Sequence, residues 1–254
     1  MTSLKEITKY LDELLKISSI PADHSNNGLQ VEATNQVNKA LFAVDASGEL
    51  FERAATENAD FVFVHHGISW GSEPRRLTGM IAARLSLLFN NGIALYAAHL
   101  PLDAHPEIGH NALLAEMAGL SNRRMFGEYD GAKIGVVGET ASPVTIAQLA
   151  GIYEHELDCE SKILGNMENE VQRIGIISGG GGLDGLMAAL DEGAECFITG
   201  EIDHTMFHVI KESGINVIGL GHYNSEKPGI IAVMNLIRDR FELDCEFVDI
   251  PTGM

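Results

Sequence analysis

Short apolar runs alternate with helical patterns along the middle of this chain, and the alternation occurs twice in the same order. Strand, helix, strand is the pattern of a βαβ unit, so an α/β fold with parallel pairing is expected. In the first copy, Ala40-Leu41-Phe42-Ala43-Val44-Asp45 predicts a strand, 48–58 a helix and 60–64 a second strand. In the later copy, Arg173-Ile174-Gly175-Ile176-Ile177-Ser178 predicts a strand, 183–191 a helix and 195–199 a strand.

The copies also match in detail. Asn58-Ala59-Asp60-Phe61 aligns with Gly193-Ala194-Glu195-Cys196, and in that register His66 falls opposite Glu201. Gly92 to His99 resembles Gly214 to His222 once one residue is inserted, which aligns His99 with His222. A carboxylate follows each histidine four positions later, Asp103 and Glu226, and a helical pattern comes next in both. Shared βαβ patterning can match any two units by chance, but it does not supply the histidine and carboxylate pair. An internal duplication is therefore expected. Two similar α/β halves would bring their strand ends to one cleft, with a metal site between them at the strand carboxyl ends. The expected division is 1–125, with the C-terminal segment 225–254 packing on it, and 126–224.

Composition narrows the function classes. A chain of 254 residues, 45% hydrophobic and 21% charged, can bury a real core. No apolar run approaches the roughly 20 residues needed to span a bilayer. The first 17 residues read as an amphipathic helix rather than a signal peptide. Leu4, Ile7, Leu11, Leu14 and Leu15 share one face, charges interrupt the sequence, and Ser3 and Glu6 have capping-box spacing. Cys159, Cys196 and Cys245 are odd in number and widely spaced, which fits a reducing cytoplasm and not a zinc–thiolate site. A formal charge of −19 argues against broad contact with a nucleic-acid backbone. Arg75-Arg76 and Arg123-Arg124 are the only tight basic pairs.

The run Asp60-Phe61-Val62-Phe63-Val64-His65-His66-Gly67 carries the strongest chemical signal. Side chains alternate along a strand, so adjacent histidines suit its end, where both rings can turn toward one cleft. Imidazole is the commonest metal ligand. The candidate ligands are His65, His66, His99, Asp103, His222 and Glu226, with Glu201 near them by register. Each falls at or just past a predicted strand end. Such a set could hold two divalent ions, and mixed nitrogen and oxygen donors suit zinc, iron, manganese or nickel without choosing among them. Each residue also has a bland reading: strand-end histidines for His99 and His222, a cap for Asp103, a carboxylate at a helix start for Glu226.

Two further features compete. Asp203-His204 and His208 have helical zinc-site spacing, but no glutamate follows His204. Gly180, Gly182 and Gly185 satisfy G-x-G-x-x-G within the stretch Gly179-Gly180-Gly181-Gly182-Leu183-Asp184-Gly185. That run reads first as a strand-to-helix turn, next as a phosphate cradle built on Gly180, Gly181 and Gly182, and last as a dinucleotide site. His24, His105, His110 and His155 lie in loop or helix contexts and read as incidental.

Six segments together resemble a known family. They are Asn27-Gly28-Leu29-Gln30-Val31, His65-His66-Gly67, His99-Leu100-Pro101-Leu102-Asp103, the glycine run after Ser178, Thr199-Gly200-Glu201, and Gly221-His222 with Glu226. The chain is similar to the Nif-three-like (YbgI-like) family, whose members are commonly labelled GTP cyclohydrolase I type 2 homologues, in its compact form without an inserted domain. The resemblance implies a duplicated α/β fold, a ring-shaped homohexamer and two divalent metal ions per subunit. The implied ligands are His65, His66, Asp103, His222 and a bridging Glu226, with His99 in the second shell or facing substrate. The implied reaction opens the guanine imidazole ring of GTP and releases formate. His99 or Glu201 would move protons, and the glycine run would hold phosphates.

Three functions therefore stand as expectations. The first is a metal-dependent hydrolase acting on a nucleotide such as GTP. The second is a non-enzymatic metal-binding or metal-delivery protein, and the third an interaction protein. No membrane partner is expected.

Overall fold

The computed structural model describes residues 1–254. Strand β1 (Thr2–Ser3) leads into helix α1 (Leu4–Leu15), which buries Leu4, Ile7, Leu11 and Leu15 of the expected stripe and leaves Leu14 half-buried. Each such side chain contributes about 1.5–3 kcal/mol when fully removed from water. The capping box expected of Ser3 does not form, since its side chain makes no cap bond. Ser3 pairs with Gln36 instead, and the Leu4 amide donates to the Asn35 carbonyl at 3.1 Å. That bond satisfies the amide of the first helical residue, one of the orphan donors of the helix start.

The chain continues through β2 (Gly28–Val31), β3 (Gln36–Val37), β4 (Lys39–Asp45), α2 (Gly48–Thr56), β5 (Phe61–His66), α3 (Gly79–Asn90), β6 (Ala94–Ala97) and α4 (Leu100–Asp103). It then forms α5 (His110–Met117), β7 (Ser121–Tyr129), β8 (Ala132–Thr145), α6 (Ile146–Leu157), β9 (Lys162–Leu164), β10 (Glu170–Ile177), α7 (Gly182–Asp191) and β11 (Cys196–Thr199). A 3₁₀ turn, His204–Met206, precedes α8 (Phe207–Ser213), β12 (Asn216–Gly219), α9 (His222–Ser225), α10 (Lys227–Phe241) and β13 (Asp244–Phe247). These elements make two units, Met1–Leu102 with Gly229–Ile250, and Asp103–Pro228 with Pro251–Met254.

The first unit is built on a sheet of order β13-β4-β5-β6-β2, parallel except for β2. Both faces are buried, which is why β4, β5 and β6 read as nearly continuous apolar runs. One face carries Leu41, Ala43, Val62, Val64, Leu95 and Ala97 into a core shared with α2. The alternate positions Phe42, Phe63 and Tyr96 stack across the strands, with ring centroids 5.6 and 5.7 Å apart. The Tyr96 hydroxyl reaches Asp12 of α1 at 2.7 Å.

The second unit has a mixed sheet of order β7-β8-β10-β11-β12-β9, in which β10, β11 and β12 are parallel. Both sheets are thus α/β, and they share a segment. Three parallel strands with α2 and α3, or α7 and α8, between them are followed by an antiparallel edge strand, β2 or β9. The shared register extends to single residues. Asp60 Oδ2 accepts from the amides of Asn38 and Lys39, and Glu195 Oε2 accepts from those of Gln172 and Arg173. Asn58 and Gly193, aligned in sequence, both take left-handed backbone after their helices. The outer strands differ, since β13 is parallel to β4 while β8 is antiparallel to β10. No helix is long and apolar enough to cross a membrane, and the three cysteines form no disulfide.

Candidate functional site

In the first unit, β4 and β5 end side by side with Asp45 paired to His66, and His99 lies two residues past the end of β6. His65 is wholly buried, and its Nδ1 lies 2.8 Å from the Ala98 carbonyl. A carbonyl can only accept, so Nδ1 carries the proton and Nε2 the lone pair. The same logic fixes the other two rings. His66 Nδ1 sits 2.8 Å from Asp45 Oδ1, and His99 Nδ1 sits 2.9 Å from Asp23 Oδ1. The ring centroids of His65 lie 4.6 Å from His66 and 5.1 Å from His99. One nitrogen from each of the three rings falls within 4.8 Å of the others.

Asp23 is itself tightly held. Its carboxylate accepts from Asn27 Nδ2 at 2.7 Å and from the amides of Ser25 and Leu100 at 2.9 and 3.1 Å. Burial alone would raise its pKa, but the bonds from His99 and Asn27 prevail and hold it below the ordinary value. Asn27 also accepts from the His99 amide at 2.7 Å. The Asn27-Gly28-Leu29-Gln30 stretch therefore anchors the His99 loop. Gln30 does the same for the segment after β5, taking the Ile68 and Ser69 amides on its Oε1. Trp70 packs edgewise on His99 with centroids 5.1 Å apart.

In the second unit, Asp103 is 5% exposed, and its Oδ1 accepts from the Ser178 hydroxyl at 3.1 Å. Asn111 ties this corner together, accepting from the Ser178 amide at 2.7 Å and donating to the Ile134 carbonyl at 2.9 Å. His110 is wholly buried and offers a ring nitrogen within 4.8 Å of an Asp103 oxygen. Its sequence context gave no reason to single it out. The one available signal was its place in the first turn of the helix that follows a candidate carboxylate.

His222 and Glu226 meet in the same unit. His222 Nδ1 lies 2.6 Å from Glu201 Oε1, and its Nε2 lies 3.2 Å from Glu226 Oε1. Burial disfavours the charged ring, but Glu226 and Glu201 together push its pKa up to about 9. Glu226 is 4% exposed and falls between α9 and α10. Gly179 lies against the pair, where a Cβ would come 3.1 Å from His222 Nε2 and would collide with the Glu226 carboxylate. Its φ of +59° also calls for glycine.

The donor chemistry of both units fits a divalent cation. Imidazoles anchored through Nδ1 and buried carboxylates with fixed partners are what metal sites use, and a cation bound at His222 would displace the second ring proton that Glu226 favours. The other candidates lie elsewhere. Asp203, His204 and His208 are exposed, and the 3₁₀ turn at His204 breaks the helical spacing between the two histidines. The glycine run makes the turn from β10 into α7. The Gly181 amide donates to Thr199 Oγ1 at 3.2 Å, and a Cβ there would meet that oxygen at 2.8 Å.

The Duf34/NIF3 (NGG1p interacting factor 3) family model matches residues 2–252. The chain belongs to this family. Among its curated relatives, a protein of Pyrococcus horikoshii is 44% identical over 253 residues, covering 98% of each chain. One of Archaeoglobus fulgidus is 41% identical over 252 residues, covering 99% of this chain and all of the relative. Both are named GTP cyclohydrolase 1 type 2 homolog. A solved Duf34/NIF3 neighbour, described as protein ybgI of unknown function, superposes with a TM-score of 0.91 at 35% identity over all of both chains.

Proposed function

We propose that this Duf34/NIF3 protein holds two divalent ions through His65, His66, Asp103, His222 and Glu226, with Glu226 bridging, and hydrolyses a nucleotide heterocycle. GTP is the named candidate substrate. The observation that supports it most is the anchoring of ring nitrogens. Ala98, Asp45 and Glu201 engage Nδ1 of His65, His66 and His222, so Nε2 is the ligating nitrogen on each ring. The relatives are named as homologues of a GTP cyclohydrolase, and the reaction the resemblance implies is opening of the guanine imidazole ring with release of formate.

A divalent pair held by these residues would supply Lewis acidity and would lower the pKa of water toward neutrality. This chain's own groups would do the rest. Asp45 and Glu201 orient His66 and His222, and Asn111 with Ser178 orients Asp103. Proton movement would fall to Glu201, and to His99 in any state where its Nε2 holds no cation. Backbone amides of Gly180 and Gly182 at the start of α7 are the proposed contact for phosphate, the Gly181 amide being held by Thr199 Oγ1. The two matching sheet segments are taken as copies of one ancestral unit, and self-association into a homohexamer belongs to the same reading. A reducing cytoplasm would suit the unpaired thiols.

The test is metal analysis of the purified protein, followed by a nucleotide panel assayed for formate on the loaded form. The expected result is bound metal and formate from GTP, both reduced by His66→Ala and by Glu226→Ala. Tight metal binding without turnover of any nucleotide would favour the metal-binding or metal-delivery alternative. Absence of bound metal would overturn both.

A further inference from the structure

The two matching sheet segments differ at the amino ends of their strands. Gly92 and Gly214 hold aligned positions just before β6 and β12, and β2 and β9 run antiparallel beside those strands. After β2 the chain passes close to Gly92. Ala33 packs on the core there, and its carbonyl would lie 3.7 Å from a Cβ on Gly92. After β9 the chain stays clear, and a Cβ on Gly214 would meet nothing within 4 Å. The space left open is a cavity of about 370 Å³ between the 165–169 turn and α8.

One buried amide fixes that turn. Asn216 is 3% exposed, and its Oδ1 accepts from the Asn166 amide at 3.1 Å and from Asn169 Nδ2 at 3.2 Å. Its Nδ2 donates to the Glu195 carbonyl at 3.3 Å. A Cβ on Gly165 would collide with Asn216 Oδ1. The aligned residue of the first unit is Ala94, which offers no such bonds. Burying an amide is unfavourable unless its bonds are made, so the second unit holds this turn by chemistry that the first unit lacks. The cavity is of the size that small ligands occupy. Leu164, Ile215, Phe207 and Ile210 give it mostly apolar walls, and Lys211 is the one charged side chain on its lining. Phe207 and Lys211 stand one helical turn apart on the same face of α8.

We propose that this cavity binds a small organic acid, with its apolar body against Phe207, Ile210 and Ile215 and its carboxylate on Lys211. A single lysine among apolar walls matches a single negative charge. A polyanion would leave charges unpaired there, in a chain whose net charge already repels it. The site needs no metal. Asn216 opens β12, whereas His222 and Glu226 follow its close at Gly219.

The experiment titrates phenylacetate and its neutral isostere phenylacetamide into the chelator-treated full chain, so that no metal can take the carboxylate. Binding is read from saturation transfer to the ring protons of each compound. Saturable phenylacetate binding below about 10 mM is expected. It should be about 10-fold tighter than that of the amide, the usual effect of one bond to a charged group. Lys211→Gln should bring the acid down to the level of the amide and leave the amide unchanged. Phe207→Ala should weaken both by roughly 2–10-fold, as loss of an aromatic contact does. Both side chains are exposed, so the melting temperature should hold in each variant. His222→Ala should change nothing. Absence of saturable phenylacetate binding overturns the proposal. So does a preference for the acid that survives Lys211→Gln, or one that vanishes with His222→Ala. Unchanged binding in Phe207→Ala also overturns it. Failure here leaves the hydrolase reading standing, and failure of that reading leaves this site untouched.

Discussion

Asp45 determines which nitrogen of His66 carries a lone pair. Replacing it by asparagine keeps the shape, removes the charge, and allows the ring to accept rather than donate at Nδ1. Asp45→Asn should weaken divalent-metal binding by about 10–100-fold with little change in melting temperature, read by competition with a chromophoric chelator. Gly179 offers a second test with its own control. Gly179→Ala and Gly131→Ala both force alanine into left-handed backbone, at a cost of about 1–2 kcal/mol each. Only at position 179 does the new methyl press on Glu226 and His222, since nothing lies within 4 Å of position 131. Both variants should lose stability in urea, Gly179→Ala more because of the clash, and only Gly179→Ala should lose metal affinity. Equal metal affinity in the two would remove Gly179 from the site. Residues of this kind divide into legible and illegible. His65, His66 and His99 could be read from sequence because strand ends are visible as the close of apolar runs. Asp23, Asp45 and His110 could not, because their roles come from partners distant in sequence, and single acids or histidines in loops and helix starts look alike.

At the scale of elements, β13 is joined to β4 and α2 through charges as well as through its ladder. Lys39 Nζ lies 2.6 Å from Glu57 Oε2, Arg53 bonds both Glu57 and Glu246, and Glu246 sits on β13. Hydrogen bonds from Lys39 and then Arg53 lower the Glu57 pKa below its ordinary value. A depressed carboxylate contributes stability above its unfolded pKa and loses it as pH falls through the folded value. The pair is solvent-screened, so the contribution is at most about 1 kcal/mol. Glu57→Gln should therefore melt slightly lower than the unsubstituted chain at pH 7, and the gap should close below about pH 4, near the carboxylate range. A gap that persists at pH 3 would assign the loss to packing. The Thr145 capping box on α6 makes a charge-free comparison, with Thr145→Ala costing about 1 kcal/mol at either pH. Element types were readable because period and length agreed along each βαβ segment. The mixed orientation of the second sheet was not, since β8 pairs with β10 and β9 with β12 across long stretches of chain, and an apolar strand pattern carries no direction.

The whole molecule carries a formal charge of −19, so exposed carboxylates will attract any cation weakly. A claim of specific binding must separate that diffuse attraction from a site. Diffuse binding does not discriminate between magnesium and zinc at equal charge and is lost in salt. Sites built on imidazole nitrogen prefer the borderline metals and persist. Linkage gives the size of the expected effect. A ligand at 100 times its dissociation constant stabilises the folded form by about 2.7 kcal/mol. For a chain of this length that corresponds to roughly 5–10 °C in melting temperature, at about 2–4 °C per kcal/mol. Chelator-treated protein should gain a rise of that order with zinc or cobalt at 0.5 M sodium chloride, and none with magnesium. The proposed donors come from both units, so the rise should appear in every resolved unfolding step, and His66→Ala should abolish most of it. A rise confined to one step, unaffected by His222→Ala, would mean that only the first unit binds metal. Equal shifts with magnesium and zinc, vanishing in salt, would reduce the buried histidines to a polar core and leave the hydrolase reading without its metal.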